Sequence, residues 1–299
     1  LWLLLVSVLA CAQEGERFFS RYNFRYLTEG DGMPSGTVND IIQDSDGFIW
    51  VATPAGIGRY DGYEVMTVAQ AGGTLKLQGA YVNALCEDNF HRLWIGTENG
   101  LVVMNLGTYA GVDGLVETDG SLPAWVGEDI HALYKDKRGD IWVSYAEGLC
   151  CVELDERGEV SGCYRLDNQV YVLEKGEGQR LEVRSLSDGL TPFSDDWRIN
   201  CMQEDGQWLW MGTNRGLFCY DTQTHELKRY RYSTHRPGML SQAYITDIRL
   251  TDGGHLIVST LNGLNVYRRE TDSFEFIRRN SAPGLDGGSI NCDAIRCVY

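Results

Sequence analysis

The amino-acid sequence predicts an all-β protein, and three observations support this fold class. A block of about 46 residues recurs, as in repeat architectures, with starts near residues 38, 82, 130, 199, 245 and 290. Each block contains three short runs of β-branched and aromatic residues, separated by Asp/Gly turns, and a fourth run follows. No stretch keeps an apolar period of 3.6 residues, so we expect almost no helix.

Within a block the elements come in one order. In the first block, residues 38–43 form a strand, Asp44–Gly47 form a turn, and residues 48–53 form a second strand. Gly56 then permits a tight turn into a third strand. Fourth strands are expected at Tyr63–Val68, Leu227–Tyr232 and Phe274–Arg278. Large rings that can fill the space between neighbouring sheets recur in the second strands, at Trp50, Trp94, Trp142 and Trp210.

Four strands in each block are typical of a β-propeller blade. One blade cannot bury both of its faces alone, whereas a closed ring of blades covers them all. We therefore predict five complete and two partial four-stranded blades, which correspond to a truncated seven-bladed ring. Residues 24–28 resemble an outer strand with no inner strands before it, and Gly32-Met33-Pro34 resembles Gly238-Met239-Leu240. Such a strand completes the last blade in many propellers, so we expect a longer parent protein.

The charge of the chain excludes some classes of partner. Its 299 residues include 26 Lys and Arg against 42 Asp and Glu, which gives a net charge of −16. Nucleic acids and anionic membrane surfaces attract clusters of Lys and Arg, and the sequence has no such stripe. We therefore expect no nucleic acid partner, and membrane attachment only through C-terminal segments outside this sequence.

The first twelve residues resemble an incomplete secretory signal. Residues 1–10 read LWLLLVSVLA and are followed by small residues up to Ala12, where cleavage is expected, although acylation of Cys11 is an alternative. Residues 13–299 then form the propeller domain. Export permits disulfides, and the one bridge we expect to be possible joins Cys150 or Cys151 to Cys163. No CxxC pair is present, which argues against a zinc site.

Blade connectivity predicts where a ligand binds. If the strands of each blade run outward from the axis, the linkers between blades and the turns between second and third strands share one face, around the channel mouth. Sugars require aromatic platforms together with hydrogen-bonding groups. On that face the candidate ligand-binding residues are Trp125, Trp197, Arg198, Tyr244, Arg215 and Glu147. The alternative is that these side chains only pack against neighbouring blades.

One position in the first strand holds a small polar residue in most blocks. His131 occupies it in the third block, and the other blocks have Asn39, Asn83, Asn200, Thr246 and Asn291. The simplest interpretation is a structural hydrogen bond to the adjacent blade. The histidines show no metal-ligand spacing and the sequence has no nucleophile elbow, so we predict no catalytic residue, metal or cofactor in this region.

The motif from Val38 to Gly62 is similar to the two-component regulator propeller repeat. It contains Asp44-x-x-Gly47, Trp50, Thr53-x-x-Gly56 and Arg59-Tyr60-Asp61-Gly62. The resemblance extends over about residues 20–299, and it weakens in blocks three and five and at an insert near residues 155–195.

This resemblance implies the periplasmic, ligand-sensing part of a hybrid two-component histidine kinase of the Bacteroidetes type. Such sensors respond to oligosaccharides and regulate transcription through a downstream kinase, and the resemblance implies a homodimer anchored in the inner membrane. No kinase residue can be assigned to this chain. Two alternatives remain open: a secreted propeller enzyme, such as a lyase or glycan hydrolase, and a scaffold that binds another protein.

Overall fold

Twenty-one β-strands make up almost all the regular structure of the described part of the chain. The computed structural model describes residues 27–70, 72–75, 77, 80–112, 128–146, 148–166, 169–174, 182–185, 198–224, 226–233, 235–251 and 253–277. The expected signal segment, residues 24–26 of the opening strand expected at 24–28, and the sixth block at 290 lie outside these residues. A 3-10 turn at Glu29–Asp31 is the one helical element among them, and they include no helix long and apolar enough to cross a membrane.

The strands form five antiparallel sheets in chain order, which we call blades 1 to 5. Blade 1 contains β1 (Asp40–Gln43), β2 (Ile49–Thr53), β3 (Gly56–Tyr60) and β4 (Val65–Thr67). Blade 2 contains β5 (Val82–Glu87), β6 (Arg92–Thr97) and β7 (Gly100–Asn105). Blade 3 contains β8 (Ile130–Lys135), β9 (Ile141–Tyr145), β10 (Gly148–Leu154), β11 (Val160–Leu166), β12 (Gln169–Glu174) and β13 (Glu182–Ser185). Blade 4 contains β14 (Ile199–Asp205), β15 (Trp208–Thr213), β16 (Gly216–Asp221) and β17 (Leu227–Tyr230). Blade 5 contains β18 (Ile245–Leu250), β19 (Leu256–Thr260), β20 (Gly263–Arg268) and β21 (Ser273–Ile277).

The all-β propeller prediction is confirmed, with a correction to the number of strands in blade 3. Blade 3 has six strands, because part of the insert near residues 155–195 adds β12 and β13 to the outer edge of the sheet. Blade 2 has three strands among the described residues. Val112 donates to the carbonyl of Val103 at 2.9 Å, so the chain begins to pair with β7 where a fourth strand is expected.

The first strands of consecutive blades contact one another in the order β1, β5, β8, β14, β18. Each blade therefore presents its first strand to a common axis, as a propeller requires. Between blades lie apolar clusters, each with one of the repeated tryptophans. Trp50 packs with Leu85 and Ile95 of the next blade, and Trp94 packs with Ile130. The predicted role of the tryptophans as wedge fillers is confirmed.

Three of these tryptophans are also tied to the Asp of the preceding turn. The indole Nε1 of Trp50 donates to Asp44 at 2.7 Å, and that of Trp94 donates to Asp88 at 2.8 Å. The third pair is Trp142 and Asp136, at 3.2 Å. A carboxylate six residues before the ring thus satisfies a buried donor and closes the turn.

Blade 4 lacks this bond because its turn is one residue shorter. Asp205 lies five residues before Trp210, and the indole Nε1 has no hydrogen-bond partner among the described residues. Asp205 instead pairs with Arg269 of blade 5. This ion pair therefore ties blade 4 to blade 5.

The linkers before blades 1 and 5, which are similar in sequence, are also similar in structure. Gly32 and Gly238 both have positive φ, 97° and 81°, a conformation that favours glycine. A Cβ at Gly32 would overlap the carbonyl oxygen of Val65 in the outer strand of blade 1. The carbonyl of Gly238 accepts a 2.9 Å bond from Phe274 in the outer strand of blade 5. Each linker thus lies against the outer strand of the blade that follows it.

Of the two alternatives for a disulfide, Cys150 is bonded and Cys151 is free. Cys163 is on the neighbouring strand, opposite Val152. The other free cysteines of the described part are Cys86, Cys201 and Cys219. Burial raises the pKa of the Cys86 and Cys219 thiols to about 12, so they stay protonated at neutral pH.

Candidate functional site

Linkers and second-to-third-strand turns meet on one face of the propeller. The backbone N–H of Glu98, in such a turn, donates to the carbonyl of Tyr81, in a linker, at 3.0 Å. In blade 5, linker residue Ser241 and turn residue Thr260 have hydroxyl oxygens 3.3 Å apart. The prediction that these segments share a face is confirmed, and we call it the ligand face.

The turns of the ligand face repeat one hydrogen-bonding motif. The hydroxyl of Thr53 donates at 2.8 Å to the carbonyl of Gly56 and accepts from the backbone N–H of Ala55 at 3.2 Å. The same threonine-to-glycine bond recurs at Thr97 with Gly100, Thr213 with Gly216, and Thr260 with Gly263. A buried hydroxyl therefore holds the turns of blades 1, 2, 4 and 5, which leaves the two residues at each tip free to vary, whereas blade 3 has Tyr145 at the threonine position.

The predicted structural role of the first-strand polar position is confirmed for three asparagines. Asn39 donates from Nδ2 to the carbonyl of Val82 at 2.7 Å, at the start of the next blade. Asn83 and Asn200 make the equivalent bonds to Ile130 and Ile245, at 2.9 and 2.8 Å.

His131 departs from this pattern, and the bond to the adjacent blade that the sequence predicts is absent there. Its Nε2 lies 3.3 Å from the carboxylate of Asp129, two residues earlier in the chain. Its Nδ1 is buried without a hydrogen-bond partner among the described residues. An imidazole is larger than the amide that the other blades place here, and its ring turns back to its own linker. The first strands of blades 3 and 4 therefore lack the bond that this position provides elsewhere.

A polar network connects His131 to two other blades. The Oδ1 of Asp129 accepts from Asn83 at 2.8 Å. The guanidinium of Arg198 donates from Nη2 to the Oδ1 of Asn83 at 3.3 Å. Asn214, in the ligand-face turn of blade 4, orients Arg198 through two backbone bonds of 3.1 Å. We call Asn83, Asp129, His131 and Arg198 the mouth network.

The mouth network combines an enclosed histidine with an accessible carboxylate. The His131 side chain is 9% exposed, and that of Asp129 is 41% exposed. Burial, and next the nearby Arg198 charge, lower the pKa of His131, although Asp129 opposes them. The imidazole is therefore neutral at pH 7, and the network presents a guanidinium, an amide and a carboxylate at the mouth. Such groups can orient a ligand rich in hydroxyl groups.

Of the candidate residues from the sequence, the structure describes three. Arg198 is in the mouth network, Arg215 is exposed at the tip of the blade 4 turn, and the Tyr244 side chain is an exposed aromatic of the blade 5 linker. Trp125, Trp197 and Glu147 lie outside the described residues. Sequence reasoning did not assign Asn83 and His131 to the site. The one signal was histidine at a position that other blocks fill with asparagine.

The opposite face carries a serine, a histidine and an aspartate in a row. The Oγ of Ser45 is 3.2 Å from Nδ1 of His91, and Nε2 of His91 is 3.3 Å from Asp46. The Ser45 hydroxyl, however, donates to Glu87 at 2.5 Å, so the imidazole does not take its proton. This arrangement joins the turns of blades 1 and 2 and does not activate a nucleophile.

An acidic cluster lies between blades 3 and 4 on that opposite face. Ligand atoms of Asp136, Asp140 and Cys151 lie within 4.8 Å of one another. Arg138 already pairs with both carboxylates, at 3.4 and 3.3 Å. Burial, and next the charge of Asp136, raise the pKa of Asp140. We assign no metal to this cluster, because Arg138 already neutralises the charge of the two carboxylates.

Two segments of the chain match a known family. Residues 32–55 and 76–99 match the family model described as "Two component regulator propeller". These segments lie in blades 1 and 2, where the resemblance in the sequence is most specific, and the resemblance is confirmed. No curated protein sequence matches the chain.

Solved structures with this fold include two from B. thetaiotaomicron. The extracellular domain of BT3049, described as a hybrid two component system, aligns with a TM-score of 0.54 and 21% identity, over 92% of this chain and 39% of that one. The corresponding domain of BT4673 aligns with a TM-score of 0.50 and 19% identity, over 89% and 36%. At these identities the likeness shows the fold alone. The chain spans less than two fifths of either domain.

A virginiamycin B lyase from Staphylococcus aureus also aligns with the chain. Its TM-score is 0.46 and its identity 11%, over 85% of this chain and 88% of that one. A likeness of this degree carries no argument about activity.

Proposed function

We propose that this chain, which contains two-component regulator propeller repeats, is the ligand-binding propeller of an extracytoplasmic sensor. The observation that carries the proposal is the mouth network, in which side chains from blades 2, 3 and 4 converge on the ligand face. Convergent polar groups from separate elements at the mouth of a propeller are typical of small-ligand recognition.

The ligand we propose is an oligosaccharide. Asp129 and Arg198 offer an acceptor and a donor for sugar hydroxyls, and the exposed ring of Tyr244 offers a platform for their C–H faces. Arg215, at an adjacent turn of the same face, can contact a longer chain of sugars.

The parent protein we propose is a hybrid two-component histidine kinase that is anchored in the inner membrane, with this propeller in the periplasm. The disulfide at Cys150 and the apolar first segment support export. Ligand binding changes kinase output only if the ligand binds one arrangement of the sensor better than the other. We propose a homodimer as the assembly that supplies two such arrangements.

Calorimetry with the purified chain and a panel of plant and host oligosaccharides, both neutral and uronate-bearing, tests this function. We expect one group of related sugars to bind, and Arg198→Met to weaken that binding by at least about tenfold, as for the loss of a charged hydrogen bond. Arg157→Met is the matched control, because Arg157 is exposed in the β10–β11 turn, away from the ligand face. If both variants bind like the wild type, the ligand does not contact the mouth network.

A lyase or hydrolase is the second candidate, and the His131–Asp129 pair is the observation that favours it. A general base must reach the proton it removes. In this pair Nε2 already faces Asp129 and Nδ1 is enclosed, so neither nitrogen is presented to a bound sugar. We therefore expect binding without turnover. Release of new reducing ends or unsaturated products from the same panel, and its loss in His131→Gln, would instead establish the enzyme.

A further inference from the structure

A second concave region lies on the ligand face, at blade 5 and away from the mouth network. It is a cleft of about 480 Å³, between linker residues 233 and 235–241, the turn residue Asn262 and the outer strand β21. Clefts of this size suit small molecules or one or two sugar units.

The cleft is preformed because its linker is closed on itself at one end and tied to blade 5 at the other. At the first end the Ser233 backbone N–H donates to the carbonyl of Leu240 at 3.0 Å, and the Ser233 hydroxyl accepts from the backbone N–H groups of His235 and Arg236, at 3.3 and 3.1 Å. At the other end Ser241 exchanges bonds of 2.9 and 3.0 Å with the fully buried side chain of Asn265. The linker thus arches over β21, and little order has to be gained when a ligand binds.

The floor of the cleft is apolar and partly accessible. Phe274 is buried in the contact between blades 4 and 5, whereas the next inward-facing ring, Phe276, is 37% exposed. Met239 lines the same cleft. A half-exposed aromatic ring beside hydrogen-bonding groups suits a ligand that has both a C–H face and polar edges.

The rim of the cleft carries one permanent positive charge, that of Arg236. Arg236 and His235 are exposed there, and none of the described lining residues is acidic, although the chain has 42 acidic against 26 basic residues. Arg236 has no ion-pair partner within the described ranges, and a guanidinium binds a carboxylate in a bidentate manner. The charge of the site is thus opposite to that of the whole molecule.

We propose that this cleft binds a carboxylate-bearing sugar, a uronic acid unit of an oligosaccharide. Arg236 pairs with the carboxylate, Asn262 and Ser233 contact hydroxyls, and the Phe276 ring lies against the pyranose. The biological meaning of this inference rests on the proposed sensor function, because it specifies the charge class of the sensed saccharide. The binding event itself uses none of the mouth residues.

Titrations of the purified chain at constant ionic strength, followed by ¹H–¹⁵N NMR, test the cleft with five probes. These are sodium glucuronate, sodium galacturonate, glucose, galactose and sodium acetate. We expect a uronate to bind at least about tenfold more tightly than the neutral sugars and acetate, because only a uronate meets both the arginine and the ring. Arg236→Gln and Phe276→Ser should each weaken uronate binding to the level of the neutral sugars.

Arg231→Gln is the matched control, because Arg231 is exposed in the same segment and does not line the cleft. We expect it to bind uronates within about twofold of the wild type, as is usual for a screened surface charge. The inference is overturned if no uronate binds, if uronates and neutral sugars bind equally, or if Arg231→Gln and Arg236→Gln have equal effects. A further outcome separates the two proposals. If neutral oligosaccharides bind in a manner that requires Arg198 and no uronate binds, the cleft proposal is refuted and the sensor proposal stands.

Discussion

Arg198 of the blade 4 linker donates across blade 3 to Asn83 of blade 2, with 3.3 Å between Nη2 and Oδ1. The acceptor amide also donates to Asp129, the partner of His131. Arg198, which reaches across blade 3, thus affects the pKa of His131 in that blade. The charge state of His131 can therefore be used to measure whether the mouth network is intact.

Arg198→Met should raise the pKa of His131, because the nearby guanidinium disfavours the imidazolium. Asp129→Asn should lower that pKa, since the carboxylate favours the charged ring. The measurement is an NMR titration of the histidine ring protons, assigned with His131→Gln. Arg157→Met should leave the His131 titration unchanged. Shifts of the same sign in both mouth variants would contradict the network.

Because of Asp40, the free energy of unfolding should fall as the pH rises from about 4 to about 6. Burial raises the pKa of this carboxyl from 3.8 to about 6, against the bonds that it accepts from Leu85 and Ile41. In that window the folded state binds more protons than the unfolded state, so the free energy of unfolding falls with increasing pH. The upper limit of this loss is about 3 kcal/mol, and the actual loss is smaller because the carboxyl group is partly exposed. Urea unfolding of Asp40→Asn should show a flatter pH profile than the wild type. Parallel profiles would rule out this assignment.

Gly32→Ala should destabilise the protein much more than Gly62→Ala. Both glycines have nearly the same positive φ, 97° and 98°, so the backbone strain is matched at about 1 kcal/mol. A Cβ at Gly32 meets the carbonyl of Val65, whereas one at Gly62 meets nothing within 4 Å. We expect an additional loss of about 2 kcal/mol for Gly32→Ala, as for overpacked sites. Equal melting temperatures for the two variants would show that the linker does not lie against the outer strand.

Asp44→Ala should cost about 2–4 kcal/mol of unfolding free energy, since it leaves several donors unsatisfied, one of them buried. These donors are the Trp50 indole at 2.7 Å and two backbone N–H groups of the turn. Asp46→Ala, in the same turn, removes a side chain that is 54% exposed and pairs with His91, and it should cost less than about 1 kcal/mol. Chemical denaturation of both variants provides the comparison. Comparable losses would mean that the tryptophan bond is not the stabilising element.

The strands were predictable because the residues that specify them are close in sequence. The pattern of Asp44-x-x-Gly47, Trp50 and Thr53-x-x-Gly56 sets one turn, one strand and the next turn through bonds that span three to six residues. The extra strands β12 and β13 of blade 3 were not predicted, since the insert does not repeat and so has no counterpart with which to compare it.

The candidate site was only partly predictable. Arg198 and Tyr244 could be placed on the ligand face, because connectivity alone determines which segments emerge there. The role of His131 could not be inferred, because it depends on Asp129, Asn83 and Arg198, and no residue pattern indicates that Arg198 reaches past one blade to the next.

Strand order, turn chemistry and the wedge tryptophans follow from residue type and spacing, because they depend on contacts within a few residues. The mouth network and the tie between Asp205 and Arg269 follow only from the packing of whole blades. Side chains that are 46 to 115 residues apart meet there because each blade can bury its faces only against its neighbours. The repeat thus determines the scaffold. Residues that depart from the repeat are brought together around the axis, and they determine the chemistry of the ligand face.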